Sequence, residues 1–192
     1  MEPVATRVVI SRERISRRIA ELGAQVTSEL TRELGGPGSR LVLVPILTGS
    51  MIFLADLIRH IPLKMSVRPV TIASYPGPAT ASQGAQIRGD LPTDLGGAHV
   101  LIVDDILDSG RTLGLLRRMM LAQHPASLRI AVLLRKHKPG GRDDDVAADY
   151  VGFDIGDEFV VGYGLDYDGY FRNLPDIAVP VFPPGPQGKD GA

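Results

Sequence analysis

Apolar and polar positions follow two periods along the chain, and each period predicts a different kind of element. Short apolar runs bounded by turn residues predict buried strands, whereas apolar positions three and four apart predict helices with one buried face. Strands are predicted at residues 8–10, 41–47, 67–73, 100–103, 128–134, 150–155 and 179–182. Helices are predicted at residues 12–33, 51–61 and from 112 to about 124. This order of elements predicts an α/β fold with a largely parallel sheet between helices.

The segment 100–112, VLIVDDILDSGRT, concentrates the polar residues that are best suited to binding a ligand. Its apolar start predicts a buried strand, and Asp104 and Asp105 are expected at the carboxyl end of that strand. In open α/β sheets, ligands bind at that end of the strands. Residues 108–112 are then expected to form a tight turn into a helix, where backbone N–H groups and hydroxyls favour an anion. The segment therefore predicts paired acids beside a phosphate site.

Paired acids beside a phosphate site fit one end of a ribose 5-phosphate. Asp104 and Asp105 can accept hydrogen bonds from vicinal sugar hydroxyls, or can help to hold Mg²⁺ together with substrate oxygens. Asp108 lies between the acids and the phosphate site, where it is free to act as a general base. The alternative is that these aspartates only cap a helix or stabilise a turn. The segment lacks the spacing of a triphosphate-binding P-loop, and no G-x-G-x-x-G follows a strand.

Two further segments carry small polar residues outside a regular element. Residues 48–50, Thr-Gly-Ser, join a strand to a helix and are either a second anion site or simply a tight connection. Residues 76–97 are rich in proline, glycine and small polar residues and have no clear period. A loop of that length inside a compact domain is typical of an active-site lid or of a disordered segment. Because it directly precedes the central segment, the lid is the preferred interpretation.

Composition narrows the class of protein without identifying its chemistry. The chain has 192 residues, 44% hydrophobic and 22% charged, which suits one globular domain, expected over residues 1–183. Residues 184–192 have the composition of a disordered tail. A net charge of −1 gives no sign of a nucleic-acid or membrane partner. The absence of cysteine excludes disulfides and thiol catalysis and, with no apolar N-terminal segment, favours a cytoplasmic location.

The segment 100–112 resembles the phosphoribosyl-pyrophosphate signature of the type I phosphoribosyltransferases. Three more segments are similar to the 6-oxopurine branch, the hypoxanthine and hypoxanthine-guanine phosphoribosyltransferases: SY at 74–75, LLRK at 133–136 and DEFVVGYGLDYDGYFRNLP at 157–175. The resemblance implies the type I phosphoribosyltransferase fold, a mostly parallel central sheet flanked by helices with a small hood formed by the N- and C-terminal segments. It also implies purine salvage, in which 5-phosphoribosyl passes from phosphoribosyl pyrophosphate to hypoxanthine or guanine, giving IMP or GMP and pyrophosphate.

The resemblance implies a role for each matching residue on the sugar-phosphate and purine sides. Ribose would be bound by Asp104 and Asp105, and the 5-phosphate by Asp108, Ser109, Gly110, Arg111 and Thr112. Asp108 would also be the catalytic residue, facing N7 of the purine. The purine would be bound by Lys136 at O6, by the ring of Phe159, by backbone groups of Val160, and near Asp166.

The resemblance implies a second set of roles around the leaving group. Pyrophosphate would be bound by Leu47, Thr48, Gly49 and Arg172, with a cis peptide bond at the start of this turn. The Mg²⁺ ligands would be Asp104, Asp105 and Asp166. Ser74 and Tyr75 would begin the mobile lid, which covers residues 75–97. The family resemblance further implies a homodimer or a homotetramer.

Two positions depart from the pattern of the branch. Asp104 stands where the branch often has glutamate, and we expect its shorter side chain to be tolerated. Thr48 stands where the pyrophosphate loop commonly carries lysine or arginine, which matters only if that side chain, rather than the backbone, binds. Preference among hypoxanthine, guanine and xanthine depends on the directions of backbone carbonyls, which residue names do not give.

Other functions are compatible with parts of the pattern. The adenine, orotate and uracil branches share the central signature, but Asp108, Lys136 and the segment around Phe159 argue against them. A regulatory relative that binds RNA would lack an acid at position 108 and would need a basic face. A non-catalytic purine-nucleotide sensor stays open, because every matched residue can bind a ligand without turnover.

Overall fold

The computed structural model describes residues 5–35, 38–73, 86–88, 91–137 and 146–182 of the chain. The helices are α1 (Arg12–Glu33), α2 (Met51–Leu57) and α3 (Arg111–Leu121), and a 3₁₀ turn at Ile58–His60 extends α2. The strands are β1 (Ala5–Ile10), β2 (Leu41–Leu47), β3 (Met65–Val67), β4 (Val70–Ala73), β5 (Gln86–Arg88), β6 (His99–Leu107), β7 (Ser127–Lys136), β8 (Tyr150–Ile155) and β9 (Ile177–Val181).

A mostly parallel sheet forms the centre of the molecule, in the order β5-β4-β2-β6-β7-β8. Only β5 runs antiparallel to its neighbour, and β3 pairs in parallel with the first half of β2. Alternate residues of the central strands enter two different apolar cores, because successive side chains of a strand point to opposite faces. Leu43 and Leu101 pack on the side of α1 and α2, whereas Val44 and Ile102 pack on the side of α3. The predicted α/β fold with a largely parallel sheet is confirmed.

A small hood beside the sheet is built from the two ends of the described chain. Strands β1 and β9 pair antiparallel, with Ala5 opposite Val181. The segment that precedes β9 joins them, because Val161 and Ala178 exchange two backbone hydrogen bonds of 2.8 and 2.9 Å. This arrangement confirms the expected hood of N- and C-terminal segments.

Several of the element predictions are wrong in detail. The single strand expected over residues 67–73 is two strands, because Pro69 cannot donate a backbone hydrogen bond where they would join. The helix expected over residues 51–61 ends at Leu57 and tightens into the 3₁₀ turn. The paired acids lie inside β6 rather than at its end, since the ladder with β7 continues to the pair Leu107–Arg135.

The expected lid lies largely outside the described residues. Within residues 76–97, the prediction of a segment without regular structure is wrong at Gln86–Arg88, which forms β5 against β4. Ser74, Tyr75 and the tail 184–192 fall outside the part of the chain that the structure describes. Among the described residues, no helix has the length and apolar character that crossing a membrane requires.

Candidate active site

Two adjacent carboxylates, Asp104 buried and Asp105 partly buried, lie in the second half of β6. Asp104 is only 7% exposed, and its Oδ1 accepts a hydrogen bond of 3.0 Å from the backbone N–H of Asp105. Burial raises the pKa of Asp104, and the negative charge of Asp105 raises it further. Burial also raises the pKa of Asp105, while hydrogen bonds and the positive charge of Arg172 oppose that rise. A ligand that offers hydroxyl donors or positive charge to this pair would therefore relieve an unfavourable concentration of buried charge.

The turn that follows β6 leads directly into α3. Gly110 adopts a left-handed conformation with φ of 86°, and the helix begins at the next residue. The N–H of Arg111 donates to the hydroxyl of Ser109 at 3.4 Å. Backbone N–H groups at the start of a helix favour an anion, so the turn provides the geometry expected of a phosphate site.

A cavity of about 330 Å³ lies between this turn, the paired acids and the turn that follows β2. Its polar lining comes from the central segment, at Asp104, Asp105, Asp108, Ser109, Gly110 and Thr112. Ile46, Leu47, Gly49 and Ile72 close the opposite side. The structure thus places most of the predicted ribose, phosphate and pyrophosphate residues at one cavity, whereas Arg111, Thr48 and Arg172 do not line it.

The turn after β2 fits closely against the acids. Its first peptide bond, Leu47–Thr48, is cis, as the family resemblance implied. The buried hydroxyl of Ser50 donates to the carbonyl of Ile46 at 2.6 Å. A Cβ atom added to Gly49 would overlap with Oδ2 of Asp105, so only glycine lets the turn approach this carboxylate.

The segment before β9 forms the next wall of the site. Gly164 has a φ of 103°, and a Cβ atom added to it would overlap with the carbonyl oxygen of Gly49. The guanidinium of Arg172 donates to the carbonyl of Gly164 at 2.6 Å and pairs with Asp166 at 2.7 Å. The other carboxylate oxygen of Asp166 accepts the N–H of Gly169 at 2.8 Å. Arg172 and Asp166 are therefore fixed together next to the turn after β2.

A buried lysine lies between two aspartates, one of which, Asp108, lines the cavity. Lys136 is the last residue of β7 and is 8% exposed. Its Nζ lies 3.7 Å from Oδ2 of Asp108 and 3.5 Å from Oδ1 of Asp157. Asp157 was not singled out from the sequence, where it is one acid among several in a loop.

An exposed aromatic ring completes the site on the hood side. Phe159 is 51% exposed, and its ring meets that of Tyr167 edge to face at 5.9 Å. Tyr167 in turn contacts Phe182 at 5.3 Å. The side chain of Val160 is buried, so that residue can offer only backbone groups to a ligand.

Comparison with known proteins decides the family. The model of the phosphoribosyl transferase domain matches residues 11–168. The chain is 45% identical to a hypoxanthine-guanine phosphoribosyltransferase of Mycobacterium avium, over 87% of this chain and 81% of that protein. It is 44% identical to a hypoxanthine phosphoribosyltransferase of Salmonella typhimurium, over 88% and 92% of the two chains. This chain belongs to the hypoxanthine phosphoribosyltransferase family.

A solved structure of another family member has the same fold. The hypoxanthine phosphoribosyltransferase of Trypanosoma cruzi superimposes with a TM-score of 0.81 at 34% identity, covering 93% of this chain and 98% of that one. The fold predicted from the resemblance, with its mostly parallel sheet and hood, is thus shared with a solved hypoxanthine phosphoribosyltransferase.

In this hypoxanthine phosphoribosyltransferase family member, the predicted site residues come from the turn after β2, from β6 and the turn after it, from the end of β7, and from the segment before β9. The lid residues Ser74 and Tyr75 lie outside the described chain. Within the described ranges, no three His, Cys, Asp or Glu side chains gather closely enough to hold a metal ion by themselves. Carboxylate oxygens are nevertheless the donors that Mg²⁺ prefers, and it keeps waters and substrate oxygens as its remaining ligands. The residues present therefore fit a Mg²⁺ ion that arrives with substrate.

Proposed function

We infer that this chain transfers the 5-phosphoribosyl group of phosphoribosyl pyrophosphate to hypoxanthine, and to guanine, giving IMP or GMP and pyrophosphate. The reaction is a step of purine salvage. The observation that carries the proposal is the position of Lys136, whose Nζ lies 3.7 Å from Asp108 at the edge of the acid-lined cavity. O6 and N7 lie on the same edge of a 6-oxopurine. A purine bound here could therefore place O6 at Lys136 and N7 at Asp108 at the same time.

The purine is proposed to lie between the hood and the end of β7. Lys136 donates to O6, which discriminates against a 6-amino group because an ammonium cannot accept a hydrogen bond. The half-exposed ring of Phe159 stacks on the base, and the backbone of Val160 bonds to its edge. Hypoxanthine, guanine and xanthine differ at C2, and the backbone carbonyls near Val160 and Asp166 would determine the preference among them.

The reaction forms a bond from N9 of the purine to C1 of the ribose and breaks the bond from C1 to the pyrophosphate oxygen. The electron pair of the broken bond leaves with pyrophosphate, through a transition state with oxocarbenium character. Asp108 accepts the proton that the purine ring loses. Asp104 and Asp105 bind the ribose hydroxyls, and residues 108–112 hold the 5-phosphate and keep C1 in place.

The leaving group is proposed to bind between two backbone turns. Backbone groups of Thr48 and Gly49 and the guanidinium of Arg172 stabilise its growing charge. Mg²⁺, held by substrate oxygens with Asp104, Asp105 or Asp166, would neutralise part of the charge on pyrophosphate when bound. Because the side chain of Thr48 carries no charge, the contribution of this turn to binding pyrophosphate comes from its backbone.

A spectrophotometric assay of the purified chain tests the proposal. With phosphoribosyl pyrophosphate and Mg²⁺, we expect rapid IMP formation from hypoxanthine, GMP formation from guanine, and little product from adenine. Xanthine is included to define the preference at C2. Calorimetric binding of phosphoribosyl pyrophosphate without product from any purine would instead indicate a nucleotide sensor.

Three finer expectations remain proposals alongside this activity. Light scattering would test the homodimer or homotetramer, and cell fractionation would test the cytoplasmic location. Protease protection of residues 75–97 by phosphoribosyl pyrophosphate would test the lid.

A further inference from the structure

A buried tyrosine in the hood bonds to the helix that follows the pyrophosphate turn. Tyr163 is 7% exposed, and its hydroxyl donates to Oδ2 of Asp56 near the end of α2. Neither residue lines the cavity of the site. Tyr163 has a φ of 53°, a left-handed conformation that is disfavoured for a residue with a Cβ atom. The fold therefore keeps this side chain in place against a local preference of the backbone.

The bond joins the two elements that carry the leaving-group side of the site. On one side, α2 begins directly after the turn at Leu47–Ser50, and Asp56 lies in its last turn. On the other side, the residue after Tyr163 is Gly164, whose carbonyl accepts the guanidinium of Arg172. A shift of Tyr163 would thus move the carbonyl that orients Arg172.

A second contact between these elements is a close approach of backbone atoms. Gly164 packs on the carbonyl of Gly49, an approach that excludes any side chain but provides no directional bond. A hydrogen bond to a carboxylate is directional and stronger than one between neutral groups. Of these two contacts, the hydrogen bond from Tyr163 to Asp56 is the one able to fix the orientation of the segment before β9 relative to the turn after β2.

We propose that the hydrogen bond from Tyr163 to Asp56 is a positioning latch, which holds Arg172 and Asp166 at the correct distance from the turn after β2 and so sets the affinity for the pyrophosphate group. The inference rests on the proposed function, because it assigns these residues to the leaving group. Both latch residues are positioning residues and touch no substrate. Burial and the neighbouring carboxylate raise the pKa of the Tyr163 phenol, so it remains a donor throughout the neutral range.

The chain contains a matched control for a merely structural role. Tyr150 is 1% exposed, and its hydroxyl donates to Oε2 of Glu29 at 2.8 Å. This bond ties β8 to α1 and lies outside the residues that line the cavity. Replacing either tyrosine with phenylalanine removes a hydroxyl that donates from a buried ring to a partly exposed carboxylate.

The test measures KM for both substrates and the Kd of pyrophosphate with excess Mg²⁺ in the two variants. For Tyr163→Phe, we expect KM for phosphoribosyl pyrophosphate and Kd for pyrophosphate to rise about 5- to 20-fold, with KM for hypoxanthine within about twofold. Tyr150→Phe should lower Tm by about as much as Tyr163→Phe does. It should leave both KM values and the Kd of pyrophosphate within about twofold of wild type. Circular dichroism at the assay temperature establishes that both variants are folded.

Substitutions of the acceptor, Asp56, distinguish loss of this hydrogen bond from a general loss of structure. Asp56→Asn keeps an oxygen acceptor and should retain most of the affinity, whereas Asp56→Ala should behave like Tyr163→Phe. Combining Tyr163→Phe with Asp56→Ala should add little further loss, because both remove one bond.

Two outcomes overturn the latch. One is pyrophosphate binding by Tyr163→Phe that equals that of Tyr150→Phe, and the other is an equal rise of KM for both substrates. Loss of the proposed function is distinguishable, since it would appear as absence of transferase activity in the wild-type chain. The pyrophosphate titration would then still support or refute the latch by itself.

Discussion

The Nζ atom of Lys136 lies 3.7 Å from Oδ2 of Asp108, although the two residues belong to different segments of the chain. Lys136 ends β7, and Asp108 follows β6 by one residue. Because β6 and β7 are parallel neighbours, their carboxyl ends place the two charges on the same side of the cavity. We proposed that Lys136 selects the purine and that Asp108 accepts its proton, and substitution of each residue tests one of these roles.

Replacing Lys136 with glutamine should reduce kcat/KM for hypoxanthine. Loss of one charge-assisted hydrogen bond of about 2–3 kcal/mol corresponds to a fall of roughly 30- to 150-fold. Activity on adenine should not fall, because adenine offers no oxygen to the lysine. Arg135→Gln is the control, since Arg135 is the neighbouring residue and pairs with Asp154 at 2.6 Å instead. Unchanged kinetics with hypoxanthine would refute the contact with O6.

Asp108→Asn should lower turnover while leaving phosphoribosyl pyrophosphate binding almost intact. The amide keeps the shape of the side chain but is a poor base, and general-base catalysis contributes about 10²- to 10⁴-fold. Single-turnover kinetics and calorimetry measure the two quantities separately. Asp157→Asn removes the other carboxylate near Lys136 and should reduce turnover far less. If both variants keep wild-type turnover, Asp108 is not the base.

Asp104→Asn should make the protein more stable at neutral pH although it weakens substrate binding. Burial raises the pKa of Asp104 above its ordinary value of 3.8, so its contribution to stability is greatest below that pH and is lost as pH rises. Removing the charge should raise Tm by about 2–4 °C at pH 7.5, equivalent to about 1 kcal/mol. Calorimetric scans from pH 4 to pH 8 should show the difference growing with pH. Asp94→Asn, at an exposed ion pair, should show no such trend.

Gly164→Ala should impair the site far more than Gly169→Ala. Both glycines have a positive φ, so alanine is strained at either position. Only at Gly164 would the new Cβ overlap with the backbone of Gly49, since Gly169 has open space around it. We expect a loss of pyrophosphate affinity of at least about tenfold for the first variant and a small change in Tm for the second. Equal pyrophosphate affinities in the two variants would contradict the packing of Gly164 on Gly49.

Glu33 should support the fold over an unusually wide acidic range. Hydrogen bonds from Arg129, one of them 2.8 Å long, lower the pKa of Glu33 from 4.5 to about 2. A lowered pKa means that the stabilisation is present above pH 4.5 and is lost as pH falls through about 2. The Tm difference between wild type and Glu33→Gln should therefore be constant above pH 5 and shrink toward pH 2. Glu21→Gln, which removes an exposed pair with Arg18, should change Tm little at any pH.

The elements that the sequence predicted best are those whose pattern is local. The bounds of α1 and β2 were predicted without error, because an apolar stripe and a continuous apolar run each appear within one segment. The break at Pro69 was missed because three apolar residues, Val67, Val70 and Ile72, continue the strand pattern across it. The end of β6 was missed because its last residues gain their hydrogen bonds from β7, which the local pattern does not show.

The site could be predicted only as a set of residues, not as an arrangement. Family resemblance identified Lys136, Phe159 and Asp166 as separate positions along the chain. The contact between Gly49 and Asp105 depends on how the turn after β2 meets the neighbouring strand β6. The sequence alone does not give that arrangement. The bond from Tyr163 to Asp56 joins residues 107 positions apart. Periodicity relates only neighbours within one element, so it could not have found this pair.

The pairing of Ala5 with Val181 makes the hood depend on both ends of the described chain, whereas the central sheet depends on neither. The sheet from β2 to β8, with the ribose-phosphate turn, uses no residue beyond Ile155. The hood, which is proposed to hold the purine, needs β9, because Val161 donates one backbone hydrogen bond to Ala178 and accepts another from it. Removing β9 should therefore disrupt the proposed purine side of the site while leaving every strand of the central sheet, and the proposed sugar-phosphate turn, in the chain.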